Sequence, residues 1–139
     1  MRSILTATPA SDETITVTDM EAGIEHLSRG TTRHSDVMLV VAEPYYKSLE
    51  TAGQVNKMAG DLGIPNTYVV ANKVRNDADA QAIAAYCEKQ DMEIIATVPY
   101  DEEVAAASLV PESPLDRYPN STGVQAVTEL ARTLYSALS

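Results

Sequence analysis

The chain has 139 residues, 45% of them hydrophobic, and 10 basic against 20 acidic side chains give a formal net charge of −10. That size and apolar content fit one domain, residues 1–139, with a core of its own, and exclude general disorder. The acidic balance excludes a nucleic-acid groove as the main surface, because phosphates are held by clustered Lys and Arg.

The single cysteine, Cys87, rules out an intrachain disulfide and a Cys-x-x-Cys metal site. The longest apolar run, Val37–Ala42, is far short of the ~20 residues of a membrane span. The N-terminus lacks the apolar stretch of a signal peptide, so a cytoplasmic protein is expected. Phe and Trp are absent, which leaves Tyr, Leu, Ile, Val and Met to fill the core.

In chain order, the β-branched residues 14–18 favour a strand ending at Asp19. Residues 19–30 read as a short helix stopped by Gly30. VMLVVAEP is a continuous apolar run, expected to be a strand buried on both faces and ended by Pro44. Apolar residues at three- and four-residue steps predict a helix over 48–62, closed by Gly63. Residues 67–71 form a third strand running into Asn72 and Lys73. Asp77 or Asp79 caps a helix through Gln90, with Ile83 and Cys87 inward.

Residues 93–98 make a fourth strand ended by Pro99. Asp101 caps a short alanine-rich helix to about Leu109, residues 110–120 with three prolines form a loop, and Ser121 caps a last amphipathic helix. Alternating strands and helices predict an α/β fold, a parallel sheet covered by helices. Ligands of open α/β sheets bind at the carboxyl ends of the strands. Polar and turn residues gather at those ends: Asp19, Glu43, Asn72, and Pro99 with Tyr100 and Asp101.

Each candidate has a structural reading beside its functional one. Asp19 at a strand end, followed by Gly23, suits a carboxylate holding a Mg²⁺-bound water beside a phosphate; the alternative is a helix cap. Asn72 presents an amide that donates and accepts at once, as a base edge requires; the alternative is an Asn–Lys turn. The Lys73 stem covers a ring or simply the site. Asp101 serves equally as a helix cap. His26, beside Glu25 and near Arg29, reads better as a hydrogen-bonded surface or interface group than as a base. Cys87 reads as a small buried thiol. One cysteine and two separated histidines, His26 and His34, supply no convergent soft ligand set for nickel or zinc.

The wording of four segments is more specific than their spacing. DMEAGIEHLSRGT resembles the stretch after the Walker B strand of CooC-type ATPases, nickel-insertion accessory proteins of carbon monoxide dehydrogenase within the MinD/ParA group of deviant-Walker P-loop ATPases. VMLVVAEPYYKSLETAGQV, VVANKV and ATVPYDEEVAAA are similar to that family's next strand and helix, its adenine-reading strand end and its second adenine-side loop. The match is collinear from about residue 14 to 138. It implies ATP or ADP with Mg²⁺, with Asp19 as the catalytic carboxylate that orients the Mg²⁺-bound water. Glu21, Gly23, Glu25, His26 and Arg29 would form a nucleotide switch. Asn72, Lys73, Pro99, Tyr100 and Asp101 would hold the base. The implied partners are a second copy in a homodimer and a metalloenzyme client such as carbon monoxide dehydrogenase.

The departures matter as much. The sequence has no Gly-Lys pair, so no phosphate-binding loop, and no Cys-x-Cys. The expectation is therefore a partial P-loop NTPase (SIMIBI, MinD-like) fold without the N-terminal P-loop strand, the C-terminal portion of such an ATPase domain. Residues 14–18 should be loosely held beside a slot, with 37–43, 67–71 and 93–98 forming the sheet proper. Hydrolysis needs a phosphate loop supplied from elsewhere. The other function class is a non-catalytic regulatory or dimerisation module. A receiver domain, which also places Asp and Lys at strand ends, lacks its further acidic pair here.

Overall fold

The computed structural model describes residues 15–20 and 35–138. Strands β1 (Val37–Ala42), β2 (Asn66–Val74) and β3 (Glu93–Pro99) alternate with helices α1 (Tyr46–Asp61) and α2 (Asp77–Lys89). Helices α3 (Glu102–Ala107), α4 (Pro114–Arg117) and α5 (Thr122–Leu138) follow. The sheet order is β1-β2-β3 and both pairings are parallel. Parallel neighbours need a crossover, and α1 and α2 provide the two. The three strands are those expected as the sheet proper. Residues 15–18 lie outside any ladder, with Ile15 and Val17 exposed. β-Branched residues favour extended backbone, but a strand also needs a neighbour to bond. Residue 14 and the helix expected over 19–30, beyond its first two residues, lie outside the described residues.

Both crossover helices pack on one face of the sheet. Val40 and Ala42 of β1 and Val69 and Ala71 of β2 meet Leu49 and Ala52 of α1 and Ile83 and Cys87 of α2 in one buried cluster. Val70 and Val124 are buried outside that cluster, and α5 packs on β3. Here β1 corrects the sequence reading. It was expected to be buried on both faces, yet Leu39 and Val41 are 37% and 59% exposed while Val40 and Ala42 are buried. As the edge strand it has β2 on one side only, and the helix on the second face lies over β3.

The helix ends follow local chemistry, with small shifts from the predicted bounds. α1 starts two residues early, and the Ser48 hydroxyl within it accepts from the Glu43 N–H at 2.9 Å. At its other end Gly63 takes φ +75°. Ile64 N–H reaches Ala59 O and Gly63 N–H reaches Gly60 O, both at 3.1 Å. This is a Schellman stop, which requires the left-handed residue that glycine supplies. α2 is capped by Asn76, whose Oδ1 accepts from Asp79 N–H at 2.9 Å, and not by Asp77 or Asp79 as expected. Asn76, Asp77 and Asp79 are all chemically competent caps, and Asp79 is engaged with Arg75. The predicted loop over 110–120 holds one turn of helix, α4, capped by Ser113.

Strand β2 runs further than its apolar core because it is bulged. Ala71 pairs with Thr97 and Val74 with Pro99, so Asn72 and Lys73 together face the single residue Val98. Lys73 absorbs the extra length at φ 55°, a conformation uncommon for a residue with a side chain. An opposite irregularity, with Ile95 as the extra residue, lies on β3 between the partners of Val69 and Val70.

Candidate base-binding site at the strand ends

At the carboxyl ends of the three strands lies an open cavity of about 250 Å³ lined by Glu43, Pro44, Tyr45, Lys73, Arg75 and Tyr100. Its position follows from the topology. Parallel strands end on one edge, Pro44 turns the chain out of β1, the bulge turns Lys73 out of β2, and Tyr100 follows β3. Tyr100 is held there by its N–H, which donates to Val74 O at 2.9 Å.

Charges in the cavity are paired within the protein. Lys73 Nζ lies 2.7 Å from Glu43 Oε1, and the Tyr45 hydroxyl donates to Glu43 Oε2 at 2.8 Å. Lys73 first, then Tyr45, holds the Glu43 carboxyl below its ordinary range, and the same contact raises Lys73. Tyr45, donating to that carboxylate, is raised in turn. Arg75 Nε donates to Asp79 Oδ2 at 2.9 Å, and the same oxygen accepts Arg75 N–H at 3.0 Å. Asp79 is largely buried at the start of α2, so it fixes the Arg75 backbone and guanidinium together. Arg75 lowers the Asp79 pKa and is itself raised. Each cation therefore has a carboxylate within the protein, and the cavity is close to neutral with two tyrosines on its walls.

Of the residues expected to hold a base, Lys73 and Tyr100 line this cavity. Asn72 adjoins it on β2, half-buried, and its amide has no hydrogen-bond partner among the described residues. Pro99 is in the ladder opposite Val74. Asp101 stands outside the lining and binds two helix starts. Its Oδ1 accepts from Glu103 N–H at 2.8 Å and Val104 N–H at 3.4 Å, at the start of α3. Its Oδ2 accepts from Gly123 N–H at 2.8 Å, in the first turn of α5. Gly123 permits that approach, since a Cβ there would sit 3.1 Å from Asp101 Cβ. Asp19 is exposed in the unpaired segment 15–20. Glu21, Gly23, Glu25, His26 and Arg29 lie outside the described residues. Tyr45 and Arg75 were missed in the sequence reading. Tyr45 sits two residues past a strand end already flagged, whereas nothing in the sequence marked Arg75.

The double cap gives a pH prediction. The Gly123 N–H first, with further hydrogen bonds, lowers the Asp101 pKa from 3.8. A depressed carboxyl contributes stability that is complete above its unfolded value and lost as pH falls through the folded one. Asp101→Asn should therefore melt lower than the parent at neutral pH, and the gap should narrow as both are acidified below 3.8 and through the lowered Asp101 pKa. Thermal melts followed by circular dichroism test this; a gap constant from pH 7 to 2.5 would deny Asp101 its ionised capping role.

Cys87 is buried in the core cluster, and burial raises its thiol pKa. Among the described residues no three His, Cys, Asp or Glu side chains converge to hold a metal ion. None of the described helices is long and apolar enough to cross a membrane.

No family model matches the chain. It is 48% identical over 90 residues to an ATP-binding protein of Methanocaldococcus jannaschii, a match covering 65% of this chain and 35% of that protein. It is 39% identical over 89 residues to the carbon monoxide dehydrogenase accessory protein CooC of Rhodospirillum rubrum, covering 64% and 33%. In structure it is similar to the MinD cell division protein of Aquifex aeolicus, with a TM-score of 0.64 at 18% identity over 76% of this chain and 46% of that one. A ParA family ATPase from Chlorobium tepidum matches with a TM-score of 0.54 at 23% identity, over 71% and 41%. The chain thus spans about a third to a half of the length of the relatives it matches.

Proposed function

We propose that this chain, MinD/ParA-like in fold and CooC-like in sequence, carries the nucleobase side of an adenine-nucleotide site. The observation that carries the reading is the near-neutral depression walled by Tyr45 and Tyr100 and lined by Lys73, next to which on β2 stands the half-buried Asn72, without a hydrogen-bond partner among the described residues. A purine needs an apolar slot for its faces and a donor–acceptor pair for its edge, and Asn supplies that pair. Lys73 and Tyr100 bound the ring. Pro99 and Asp101 shape the loop on the other side of it, Asp101 through its hold on α3 and α5.

The remaining roles belong to the same proposal. Asp19 orients a Mg²⁺-bound water, and Glu21, Gly23, Glu25, His26 and Arg29 sense the nucleotide. A phosphate-binding loop comes from outside the sequence given, as a preceding P-loop half or a second chain, and the working nucleotide sits in a homodimer. ATP hydrolysis then drives nickel loading of a metalloenzyme such as carbon monoxide dehydrogenase, in the cytoplasm. The absence of a Gly-Lys pair favours a second reading for the chain by itself, a non-catalytic module that binds nucleotide or partner without turnover.

Calorimetric titration tests the base site. Asn72→Ala should weaken ATP by about 1–3 kcal/mol, the cost of an unpaired polar group in a binding site, and weaken GTP less. Equal losses for both would remove Asn72 from base recognition. The 139-residue chain with Mg²⁺ should show no ATP turnover; turnover abolished by Asp19→Ala would overturn the module reading.

A further inference from the structure

We infer that Arg75 is a further ligand-contacting residue of the strand-end site, donating to an acceptor on the nucleoside part of the nucleotide, and that Asp79 is the residue that positions it. The inference rests on the base-site reading above and adds to it a contact and the group that orients that contact. Arg75 immediately follows β2 and lines the open cavity with Lys73, Tyr45 and Tyr100. Its side chain is 64% exposed, whereas that of Asp79 is 10% exposed. Asp79 accepts from this one residue at three atoms: the backbone N–H at 3.0 Å, Nε at 2.9 Å and Nη2 at 3.4 Å. The first bond holds the chain where it leaves the sheet. The other two hold the guanidinium.

A guanidinium has five N–H donors in a rigid plane. Two of them go to Asp79 on the Nε–Nη2 edge. Both donors of Nη1 and the second donor of Nη2 have no partner among the described residues. Lys73 is a different kind of cation, a compact ammonium on a flexible stem beside Glu43. Stability does not account for the Arg75 fork. α2 is capped by Asn76, and tying the turn to Asp79 needs only the Arg75 backbone N–H. An ion pair with an exposed partner adds little, because ordering the long side chain offsets the Coulomb gain. What the fork adds is order: a planar donor edge held at the rim of the cavity, so that a ligand need not order it on binding. The residues around it are those expected to hold the ring, so the acceptor that Arg75 meets belongs to the base or its ribose.

The full chain is titrated by ¹H–¹⁵N NMR with adenosine and with ATP, as the parent and as Arg75→Gln, Arg75→Lys and Asp79→Asn. In the parent, adenosine should shift the Arg75 Nε–H signal together with the amide signals of Asn72, Lys73 and Tyr100. Arg75→Gln should weaken adenosine and ATP alike, by roughly tenfold, the low end for a hydrogen bond from a charged donor. Arg75→Lys keeps the charge and loses the fork, so it should not restore affinity. Asp79→Asn should weaken adenosine about threefold, the effect of leaving one long side chain to be ordered by the ligand. It should add nothing in an Arg75→Gln background, because a positioning residue acts only through the residue it positions. Unchanged adenosine affinity in Arg75→Gln overturns the inference while the base site stands on Asn72. A loss confined to ATP also overturns it, by placing Arg75 at the phosphates. Equal losses from Asp79→Asn in both backgrounds would make Asp79 a structural residue of the β2–α2 turn and remove its positioning role. If neither adenosine nor ATP moves the signals of Asn72, Lys73 and Tyr100, the base-site reading falls, and the Arg75 contact with it.

Discussion

Ile83→Ala costs the fold about 2–5 kcal/mol, the range for deleting a buried aliphatic side chain and leaving its cavity. Ile83 is 0% exposed at the centre of α2, one helical turn before Cys87. It closes the cluster in which α1 and α2 meet β1 and β2. Its partners in the cluster are Val40, Ala42, Leu49, Ala52, Val69, Ala71, Cys87 and Met92. Domains of this size are stable by about 5–15 kcal/mol, so one methyl-for-butyl exchange removes a large share. Urea titration should show a lower midpoint at an unchanged slope, the signature of lost stability without a changed unfolded state. Val127→Ala on α5 is the control. Val127 is 53% exposed, and its truncation should stay within about 0.5 kcal/mol. Similar losses from both variants would mean that the α1–α2 face is not the stabilising core.

The elements that sequence reasoning located best were those whose apolar period is long and whose ends carry one clear stop. Gly63 after a regular apolar stripe fixed the end of α1, and Ser121 before Val124 fixed the start of α5. The misses arise where a decision depends on neighbours. β1 looks doubly buried because VMLVVA has no polar residue, yet what covers each face is a property of the sheet order. Asn76, Asp77 and Asp79 are all good caps; Arg75 removes one of them by taking Asp79.

The site was half legible for the same reason. The strand-end rule led to Asn72, Lys73 and Tyr100, because parallel topology alone brings those positions to one edge. It also led to Asp101, whose two oxygens went to backbone N–H groups at α3 and α5. The polar pair Asn72–Lys73 reads as a turn that ends a strand. In the fold it is a bulge, and β2 continues to Val74. A left-handed lysine has no sequence signal, and without the bulge the Lys73–Glu43 contact and the cavity between them could not be foreseen.

Backbone amides at residues 15–18 should exchange with solvent at least about a thousandfold faster than those of Val69, Val70 and Ala71. β2 is the only described strand with a ladder on both sides, and these three residues are 1%, 5% and 2% exposed. Their exchange requires opening of the sheet, close to global unfolding. Residues 15–18 have no ladder, and Val17 is 86% exposed, so nothing but local chain motion limits them. β1 should fall between. An edge strand bonds its neighbour through alternate amides, and the intervening ones point away from the sheet. Exchange along β1 should accordingly alternate, slow where the amide faces β2 and fast where it faces outward. Hydrogen exchange read by NMR resolves all three groups in one experiment. Protection at residues 15–18 within about tenfold of the β2 centre would mean that this segment pairs in solution, with the β1 edge as its nearest open ladder. Uniform slow exchange along β1 with residues 15–18 still fast would instead place another strand on that edge, and a dilution series would show whether a second copy supplies it.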